Sequence, residues 1–466
     1  MATFKLTPEL QTKPGDLVLG DSSERKRDKV FLGHLSESGP KRGLWLDISG
    51  EQVVAIFGKR GTGKSYSLGV LLEGLALQGE DTPLAEVKTQ RGALVFDLMG
   101  IFWSSAIPLT DDGPPEVRKQ YELMNSAGLE TYSLALDLWV PDGFQNPQID
   151  PPNLQALSVG AAQLDIDDWG ALFGLDMFGE PRGMLLSDAI RLVAREGYRQ
   201  KNGTPRAAKA DFTIDDLLRF CEEWEDIDTE YRDETVRSLR QRLNTLSGYD
   251  VFTAEGTRLS ELVQPGRVSV LLLNRLPDEL KKVLVSVLLR GMLRSRGDAS
   301  FAQKRLDLDG SLSEEEEARL RKAVSDSMPR AWILLDEAHI LAAQGEASVA
   351  KEMLVKYAKE GRNYGLSMAL ATQQPAVLDK RLTSQIETLL VHQLTSPDDA
   401  SVAARAMRSP HPESIQIDRT SGDMASLLRR VRQGEVVFST GNSPSLARCI
   451  VVRIRPRVSA HGGYEA

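Results

Sequence analysis

The sequence contains few of the residues from which disulfide frameworks and metal sites are built. Its 466 residues include two cysteines, Cys221 and Cys449, and five histidines that are scattered along the chain. Two distant cysteines argue against a disulfide-stapled domain, so we predict that both are reduced thiols in the core. No Cys/His pair has the spacing of zinc ligands, which argues against a structural metal site.

Long apolar runs are also missing. No window approaches the roughly 18 uninterrupted apolar residues of a membrane-spanning helix, and the most apolar runs, such as residues 268–273, have the length of strands. Residues 1–8 lack the long apolar core and cleavage pattern of a signal peptide. We therefore expect no membrane association and a cytoplasmic location.

No charge of one sign dominates the sequence. The 66 acidic residues exceed the 57 basic ones, which gives a net charge of -9 and argues against a protein coated in positive charge. Nucleic-acid binding is still allowed, because a ring or cleft can be basic only where a strand passes. With 41% hydrophobic residues the chain can form large cores, and its length predicts roughly two to four structural units.

Uniformly apolar runs alternate with helical patterns along much of the chain. Residues 52–57 and 92–96 show no polar alternation, which is typical of strands buried on both faces of a parallel sheet. We predict an α/β fold whose core comprises residues 49–103 and 251–457. The other predicted units are a small β-rich unit over residues 1–48, a mostly helical insertion outside the sheet over residues 104–250, and a tail over residues 458–466.

One charge-rich segment falls between two predicted elements of the core. Residues 303–327 contain four consecutive glutamates that begin at Glu314. We interpret this segment as a solvated helix face or a mobile connector.

Residues 58–65 match the pattern G-x-x-x-x-G-K-[ST] in full. Glycines let the backbone curl around an anion, and the following helix adds the positive end of its dipole. Lys64 should reach the β- and γ-phosphates, and the Ser65 hydroxyl should bind Mg²⁺. We predict a P-loop for ATP and Mg²⁺, with nucleotide-binding residues Gly58, Lys59, Arg60, Gly61, Thr62, Gly63, Lys64, Ser65 and Tyr66.

A second motif supplies what hydrolysis needs beyond phosphate binding. Residues 331–335 form an apolar run that is followed directly by Asp336 and Glu337. In such a Walker B arrangement, Asp336 would hold Mg²⁺ through water, and Glu337 would orient or deprotonate the attacking water. Together with the P-loop, this motif predicts nucleotide hydrolysis.

Two further polar residues end strands at the same predicted edge of the sheet. Asp97 follows residues 92–96, and it either touches the metal shell or caps the next helix. Gln373 lies just after another short apolar strand, and it either senses the γ-phosphate or is a turn residue before Pro375. The sequence leaves both alternatives open.

Five ordered motifs resemble the HerA branch of the HerA/FtsK superfamily. They are the P-loop, the acidic pair at Asp336, the segment KEGRNYG at residues 359–365, ATQQP at residues 371–375, and LTSQI at residues 382–386. The segment from Gly434 to Pro456 looks similar as well. The resemblance implies a RecA-like P-loop NTPase core with a mainly parallel sheet and a shortened form of the family's N-terminal β-barrel.

The resemblance also implies an activity and partners. Family members form hexameric rings, bind ATP between subunits and pump double-stranded DNA through the central channel. They commonly work with a partner nuclease of the NurA type, and bacterial relatives pair with anti-phage effectors, including sirtuin-type NADases and nucleases. The family arginine that acts on the neighbouring subunit's nucleotide corresponds to Arg362, whose alternative interpretation is a surface arginine at a helix end. The catalytic candidates are Lys64, Glu337, Arg362 and Gln373.

The sequence departs from the family pattern at two places. The family's Gly-Glu pair after the aspartate is incomplete, because Ile101 follows Gly100 here. Gln52 stands near the position of a second family arginine. These departures point to slow or regulated turnover.

Two classes of function are compatible with these observations. The first is a DNA translocase motor, and the second is an ATPase scaffold that assembles and controls an effector, with little DNA pumping. A secretion or conjugation coupling ATPase would usually carry membrane spans. The letters DEAH at residues 336–339 also occur in RNA helicases, but the later arginine-rich motif of that family has no counterpart here. Candidates for DNA contact, which surface helices also carry for solubility, are Arg191, Arg195, Arg199, Lys201, Arg206 and Lys209.

Overall fold

The structure is a computed structural model. It describes residues 15–19, 28–36, 42–80, 82–408, 415–417, 420–441 and 448–463. Parts of the predicted N-terminal unit and of the predicted tail lie outside the described residues.

The described residues form twenty strands. In chain order they are β1 (Leu17–Leu19), β2 (Lys29–Leu35), β3 (Gly43–Asp47), β4 (Val53–Phe57), β5 (Ala85–Glu86), β6 (Gly92–Asp97), β7 (Leu136–Pro141), β8 (Gln155–Leu157), β9 (Val159–Gly160), β10 (Tyr198–Arg199), β11 (Pro205–Arg206), β12 (Phe252–Thr253), β13 (Val268–Leu272), β14 (Ala331–Leu335), β15 (Leu366–Thr372), β16 (Thr388–Val391), β17 (Ile415–Ile417), β18 (Thr420–Gly422), β19 (Glu435–Thr440) and β20 (Arg448–Ile454).

The same residues form fourteen α-helices. They are α1 (Lys64–Ala76), α2 (Pro115–Ser126), α3 (Ile166–Phe173), α4 (Pro181–Arg191), α5 (Ile214–Glu223), α6 (Ile227–Glu230), α7 (Asp233–Ser247), α8 (Leu259–Leu262), α9 (Asp278–Leu308), α10 (Glu314–Ser325), α11 (Val349–Glu360), α12 (Lys380–Thr383), α13 (Pro397–Ala406) and α14 (Met424–Leu428). Short 3-10 helices include Phe102–Ala106 and Gly361–Tyr364. No helix of the described residues has the length and apolar character needed to cross a membrane.

Eight neighbouring strands form the parallel part of a 14-stranded sheet, in the order β16-β4-β15-β14-β6-β13-β7-β8. Alternate residues of β4 pack into two hydrophobic cores, with Ala55 and Phe57 in one and Val54 and Ile56 in the other. Helix α1 contributes to the second core, and α9 and α11 contribute to the first. A sheet buried on both faces explains why its strands lack polar alternation, and the predicted α/β fold with a mainly parallel sheet is confirmed.

The N-terminal strands are hydrogen-bonded to the core sheet. β16 pairs antiparallel with β19, β19 with β20, and β20 with β2, which in turn pairs with β3. The described strands of the predicted N-terminal unit therefore continue the main sheet through β20, and the boundary at residue 48 stays a prediction.

The predicted insertion, residues 104–250, is not entirely outside the sheet. Its helices α2 to α7 agree with the helical patterns in the sequence, but β7 pairs in parallel with β13, and β8 pairs with β7. The expectation that this segment does not belong to the sheet is therefore wrong for residues 136–141 and 155–157. Arg267 stabilises the added strand because its Nε and Nη2 atoms donate to the Asp137 carboxylate at 2.7 and 2.6 Å.

The charge-rich segment is helical. α9 continues into this segment as far as Leu308, and Ala299 and Ala302 just before it are buried. α10 begins after Ser313, whose hydroxyl accepts the N–H of Glu316, and none of its residues is buried. Of the two interpretations, the solvated helix face is the one that the structure contains.

A buried carboxylate joins α1 to the segment that follows β20. Arg455 Nη1 lies 2.6 Å from Glu73 Oε2, and Arg457 Nε lies 2.6 Å from Glu73 Oε1. The Ser459 hydroxyl and the N–H of Val458 also donate to Oε1, at 2.7 and 3.0 Å. Burial alone would raise the pKa of Glu73, but the two arginines outweigh it and hold this pKa below its usual range.

The same network connects three elements of the fold. Arg455 donates to the carbonyl of Phe31 in β2 at 3.1 Å and to the carbonyl of Val70 in α1 at 3.2 Å. A Cβ atom on Gly69 would lie 1.9 Å from Nη1 of Arg457. Glycine is therefore required at this position of α1 for the guanidinium to pack against the helix.

We predict that Glu73→Gln lowers the free energy of unfolding by about 3–5 kcal/mol at neutral pH, because it leaves two buried arginines without their counterion. Since the folded pKa of Glu73 lies below its ordinary value of 4.5, this stabilisation is complete above that pH and is lost as the pH falls through the folded pKa. Urea unfolding at several pH values measures both effects. Glu80→Gln, at an exposed position just after α1, is the control, and equal losses in the two variants would contradict the prediction.

Candidate functional site

Five strands of the parallel sheet bring functional residues to one edge, because the carboxyl ends of parallel strands meet there. β4 leads into the P-loop, β15 into Gln373, and β14 into Asp336 and Glu337, while β6 ends at Asp97. β16 is followed by His392 at the same edge. The sequence motifs predicted separately along the chain are thus neighbours in the fold.

The P-loop (residues 58–65) has a backbone shape that favours glycine. Gly61 and Gly63 have φ angles of 76° and 107°, in the left-handed region. A Cβ atom on Gly58 would lie 2.6 Å from Cβ of His392, so the close approach to the end of β16 also requires glycine. The turn ends at the first residue of α1, where backbone N–H groups and the helix dipole favour an anion.

Other loop residues stabilise this turn. The Thr62 hydroxyl donates to the carbonyl of Lys59 at 2.8 Å, and the N–H of Lys59 donates to the carbonyl of Gln393 at 2.9 Å. Thr62 is buried, whereas Arg60 is exposed. The N–H of Lys59 thus holds the loop against the residues that follow β16. Neither of these two bonds uses the backbone N–H groups of residues 60 and 61, which can therefore point towards an anion.

Lys64 and Ser65 contact the Walker B residues directly. The Lys64 side chain is buried, and its Nζ lies 3.7 Å from Glu337 Oε1 and 3.5 Å from the Lys59 carbonyl oxygen. The Ser65 hydroxyl donates to Asp336 Oδ2 at 2.5 Å. The first two residues of α1 therefore join the phosphate loop to the acidic pair.

The oxygen atoms of Ser65 and Asp336 fit a magnesium ion. A hydroxyl and a carboxylate are the hard oxygen donors that Mg²⁺ takes in nucleotide sites, together with substrate phosphates. Burial and the charge of Glu337 raise the pKa of Asp336, although Ser65 and Lys64 oppose the shift. Its carboxylate would therefore gain from a nearby cation. Among the described residues no group of three or more His, Cys, Asp and Glu side chains could hold a metal ion alone.

Glu337 lies in a strained turn directly after β14. Its φ and ψ are 49° and 48°, a left-handed conformation that is costly for a residue with a side chain. Its N–H donates to Asp336 Oδ1 at 2.9 Å. Burial alone would raise the pKa of Glu337, but its contact with His339 and the charge of Lys64 hold this pKa below its usual range. Glu337 is therefore a carboxylate at neutral pH.

His339 and Gln373 lie on either side of the same carboxylate. His339 Nδ1 lies 3.3 Å from Glu337 Oε2 and 3.3 Å from the Thr372 hydroxyl at the end of β15. The backbone N–H of Gln373 faces the Glu337 carboxylate, and the Gln373 side chain is half-buried. The structure thus places Gln373 beside the Walker B pair, and its role towards a γ-phosphate stays a prediction.

Asp97 caps the chain segment that follows it. Its Oδ1 accepts the N–H groups of Gly100 and Ile101 at 2.8 and 3.1 Å, and its Oδ2 accepts the N–H of Phe102 at 2.7 Å. Burial raises the pKa of Asp97 to about 6, against the effect of these bonds, and the charge of Asp336 adds to the shift. Of the two interpretations left open by the sequence, capping is the one supported by these hydrogen bonds.

Arg362 lies at the amino ends of the parallel strands, opposite the carboxyl ends that carry the P-loop. It belongs to the 3-10 helix Gly361–Tyr364, directly before β15 begins, and its side chain is 56% exposed. Its Nη1 lies 2.9 Å from Glu387 Oε1, close to the start of β4. A five-residue strand spans roughly 16 Å, so Arg362 does not reach the P-loop of its own chain.

His392 packs behind the P-loop, and no sequence motif singled it out. Its Nε2 lies 2.9 Å from the Ser67 hydroxyl, and its ring lies against Gly63. Burial and the charge of Lys64 lower the pKa of His392 to about 3, so its ring is neutral at physiological pH. The available signal was the one used for Asp97, namely a polar residue directly after a short apolar strand.

The lysine and serine of a phosphate loop after β4 contact an acidic pair after β14, with the parallel strand β15 between these two strands. This arrangement defines a class, that of the P-loop ATPases. Residues 30–292 match the family model described as the central domain of helicase HerA. This match covers more than half of the chain, and the chain belongs to that family. The resemblance to HerA noted in the sequence motifs is confirmed.

Two relatives give the extent of the similarity. The DNA double-strand break repair helicase HerA of Pyrococcus furiosus is 25% identical over 283 residues, which are 55% of this chain and 49% of the relative. A probable helicase of Methanocaldococcus jannaschii is 22% identical over 306 residues, which are 65% of this chain and 52% of the relative. The chain therefore spans about half the length of these curated relatives.

A solved structure shares the fold. VirB4 of Thermoanaerobacter pseudethanolicus matches with a TM-score of 0.51 and 15% sequence identity, over 94% of this chain and 99% of that chain. At this identity the likeness shows a common fold alone.

We predict that, below pH 4, Asp97→Asn lowers the free energy of unfolding by about 1–3 kcal/mol, because the amide nitrogen cannot accept the N–H of Phe102. Since the folded pKa of about 6 lies above the ordinary 3.8, wild-type stability should decline as the pH rises between these values, and the variant should lack this decline. The Mg²⁺ concentration needed for nucleotide binding should not change. Urea unfolding and nucleotide titrations over a series of Mg²⁺ concentrations measure these quantities, and a raised Mg²⁺ requirement would place Asp97 in the metal shell.

Proposed function

We propose that this chain is an ATP-hydrolysing motor that translocates double-stranded DNA as a homo-hexameric ring, together with a partner nuclease or defence effector. The observation that carries the proposal is the separation of the site into two halves. The P-loop and the Walker B pair lie at the carboxyl ends of the parallel strands, and Arg362 lies at their amino ends. A second copy of the chain would bring its Arg362 to the nucleotide.

The contact between Lys64 and Glu337 supports an exchange of partners on ATP binding. A triphosphate carries more negative charge than one carboxylate, so Lys64 would turn from Glu337 to the β- and γ-phosphates. This movement would leave the Glu337 carboxylate available to a water molecule. Ser65 and Asp336 would hold Mg²⁺, which neutralises phosphate charge when it is bound.

The residues around Glu337 are suited to hydrolysis. A carboxylate whose pKa lies below its usual range is ionised at neutral pH and accepts a hydrogen bond from the attacking water. His339 and the backbone N–H of Gln373 restrict its orientation. The Gln373 side chain, at the end of the neighbouring strand, would sense the γ-phosphate.

A ring supplies the remaining charge. Arg362 is exposed and follows α11 at the amino end of β15. In the proposed head-to-tail ring, the amino ends of the strands of one subunit would face the carboxyl ends of the strands of the next. Arg362 would then neutralise charge on the transferred phosphoryl group of the adjacent subunit.

The paired basic residues of the insertion favour a second function, an ATPase scaffold that controls an effector and pumps little DNA. Five candidate DNA contacts lie in intramolecular ion pairs, which reduces the positive charge available to phosphates. The pairs are Arg191 with Asp188, Arg199 with Glu225, Lys201 with Asp228, Arg206 with Glu223, and Lys209 with Asp216.

DNA-dependent ATP turnover is the property that distinguishes a motor from a scaffold. Long double-stranded DNA should raise the ATPase rate of the purified protein at near-physiological salt, and Glu337→Gln should reduce the rate by at least about 100-fold with nucleotide binding intact, because it removes the base. Steady-state phosphate release and nucleotide titration measure the two properties. Glu346→Gln, at an exposed position in the same region, should keep wild-type activity. A rate that is indifferent to DNA would favour the scaffold.

The action of Arg362 on a neighbouring subunit can be tested by mixing two inactive variants. Arg362→Ala and Lys64→Ala should each be inactive alone, and their equal mixture should recover activity, because about one interface in four then combines an intact lysine with an intact arginine in a head-to-tail ring. ATPase assays across mixing ratios measure the recovery. Arg321→Ala on the solvated helix α10 is the control and should stay active. Absence of recovery at every ratio would contradict action between subunits.

A further inference from the structure

A large cavity adjoins the P-loop on the side away from the Walker B pair. Its volume is about 820 Å³, and its lining includes residues 61–67 and the segment that follows β20. We call residues 455–463 the wall segment. Ligand sites for small molecules usually have volumes of about 300–1,000 Å³, so this cavity has room for much more than the phosphates that the loop binds.

The wall segment is fixed in place by bonds to α1 and α2. Arg457 and Ser459 bind the Glu73 carboxylate, as described above, and the N–H of Arg457 donates to the Tyr66 hydroxyl at 2.7 Å. The N–H of His461 donates to Gln120 Oε1 at 2.8 Å, and Gln120 Nε2 donates back to the His461 carbonyl at 3.3 Å. A wall held in this way can bind a ligand without first becoming ordered.

Two aromatic rings stand where the P-loop opens into the cavity. Tyr66 follows Ser65 directly, and its ring centroid lies 5.3 Å from that of His461, with the planes at 80°. Burial and the charge of Arg457 lower the pKa of His461 to about 4, so both rings are uncharged at neutral pH. Both rings line the cavity, together with Phe31, Leu123 and Pro456.

These contacts suit a flat, uncharged aromatic group linked to a phosphate chain. The P-loop binds the phosphates, and Tyr66 is the loop's immediate neighbour on the cavity side. We propose that Tyr66 and the wall segment form the subsite for the base of a purine nucleotide, with His461 and Tyr66 as its stacking surface. This proposal rests on the proposed nucleotide hydrolysis, whose phosphate site it extends.

The subsite would also connect base recognition to the phosphate loop. Glu73 lies on α1, two turns beyond Lys64, and binds the arginines of the wall segment. A base seated against His461 would therefore press on a segment that is bonded to the helix of the P-loop. The chain thus contains a short physical connection between the two ends of a bound nucleotide.

The test compares ATP with inorganic tripolyphosphate, which has no base, by calorimetric titration in the presence of Mg²⁺. Wild-type protein should bind ATP more tightly than tripolyphosphate. His461→Ala should weaken ATP binding by about five- to 150-fold, as expected for loss of one aromatic contact to a base, and should leave tripolyphosphate binding unchanged. The control is Tyr249→Ala, which removes an aromatic ring that stacks on Phe144 and is not part of the cavity lining. This variant should change neither affinity.

A second measurement uses the unmodified protein. Irradiation with 8-azido-ATP should attach label to peptides that contain Tyr66 or residues 455–463, and excess ATP should suppress the labelling. Equal wild-type affinity for ATP and tripolyphosphate, equal losses of both in His461→Ala, or label on other peptides would each overturn the subsite and leave the phosphate site intact. Failure of wild-type protein to bind either ligand would overturn the proposed function itself.

Discussion

The parallel alignment of neighbouring strands is the constraint on which the whole site depends. Phe57 of β4 is level with Thr372 of β15, and Leu335 of β14 is level with Leu370 of the same strand. The residues that follow each strand therefore emerge at nearly the same height. Reversal of any one strand would carry its polar residue to the opposite end of the sheet. The order and direction of the strands therefore bring the functional groups together, whatever contacts their side chains make.

Within this arrangement, the environment gives two adjacent acids different properties. Asp336 is almost fully buried, and this burial raises its pKa although the Ser65 hydroxyl that donates to it opposes the shift. Glu337 has His339 and Lys64 as neighbours, and its pKa is lowered. The first carboxylate therefore gains most from an added cation, and the second is already ionised for an interaction with water. This division of roles follows from the contacts of each side chain, since both residues belong to one loop.

Local patterns in the sequence predicted the parts of the site whose signal lies within a few residues. The P-loop and the Walker B pair are such parts, and the structure brings them together. The choice between two interpretations of Asp97 depended on the positions of three backbone N–H groups, which no residue pattern specifies. The strand at residues 136–141 was hidden because it contains a charged Asp137, whose partner Arg267 is 130 positions away in the sequence.

Other features depend on contacts between distant segments, which a single sequence does not reveal. His392 and Ser67 are 325 positions apart, and Arg457 and Glu73 are 384 positions apart. The sequence assigned neither His392 nor Glu73 a role, because each is an isolated polar residue without a periodic or spaced motif. Their neighbours become visible only when α1 is placed against β16 and the wall segment.

The location of Arg362, on the edge of the sheet opposite the P-loop, has a consequence for the behaviour of mixed populations. In the proposed ring, a chain that loses this arginine would keep its own nucleotide site and silence that of the next chain. A substitution in one copy would thus inactivate the nucleotide site of another copy, and a defective gene would act dominantly over an intact one. Free subunits would in turn consume little ATP, because dilution separates the two halves of every site.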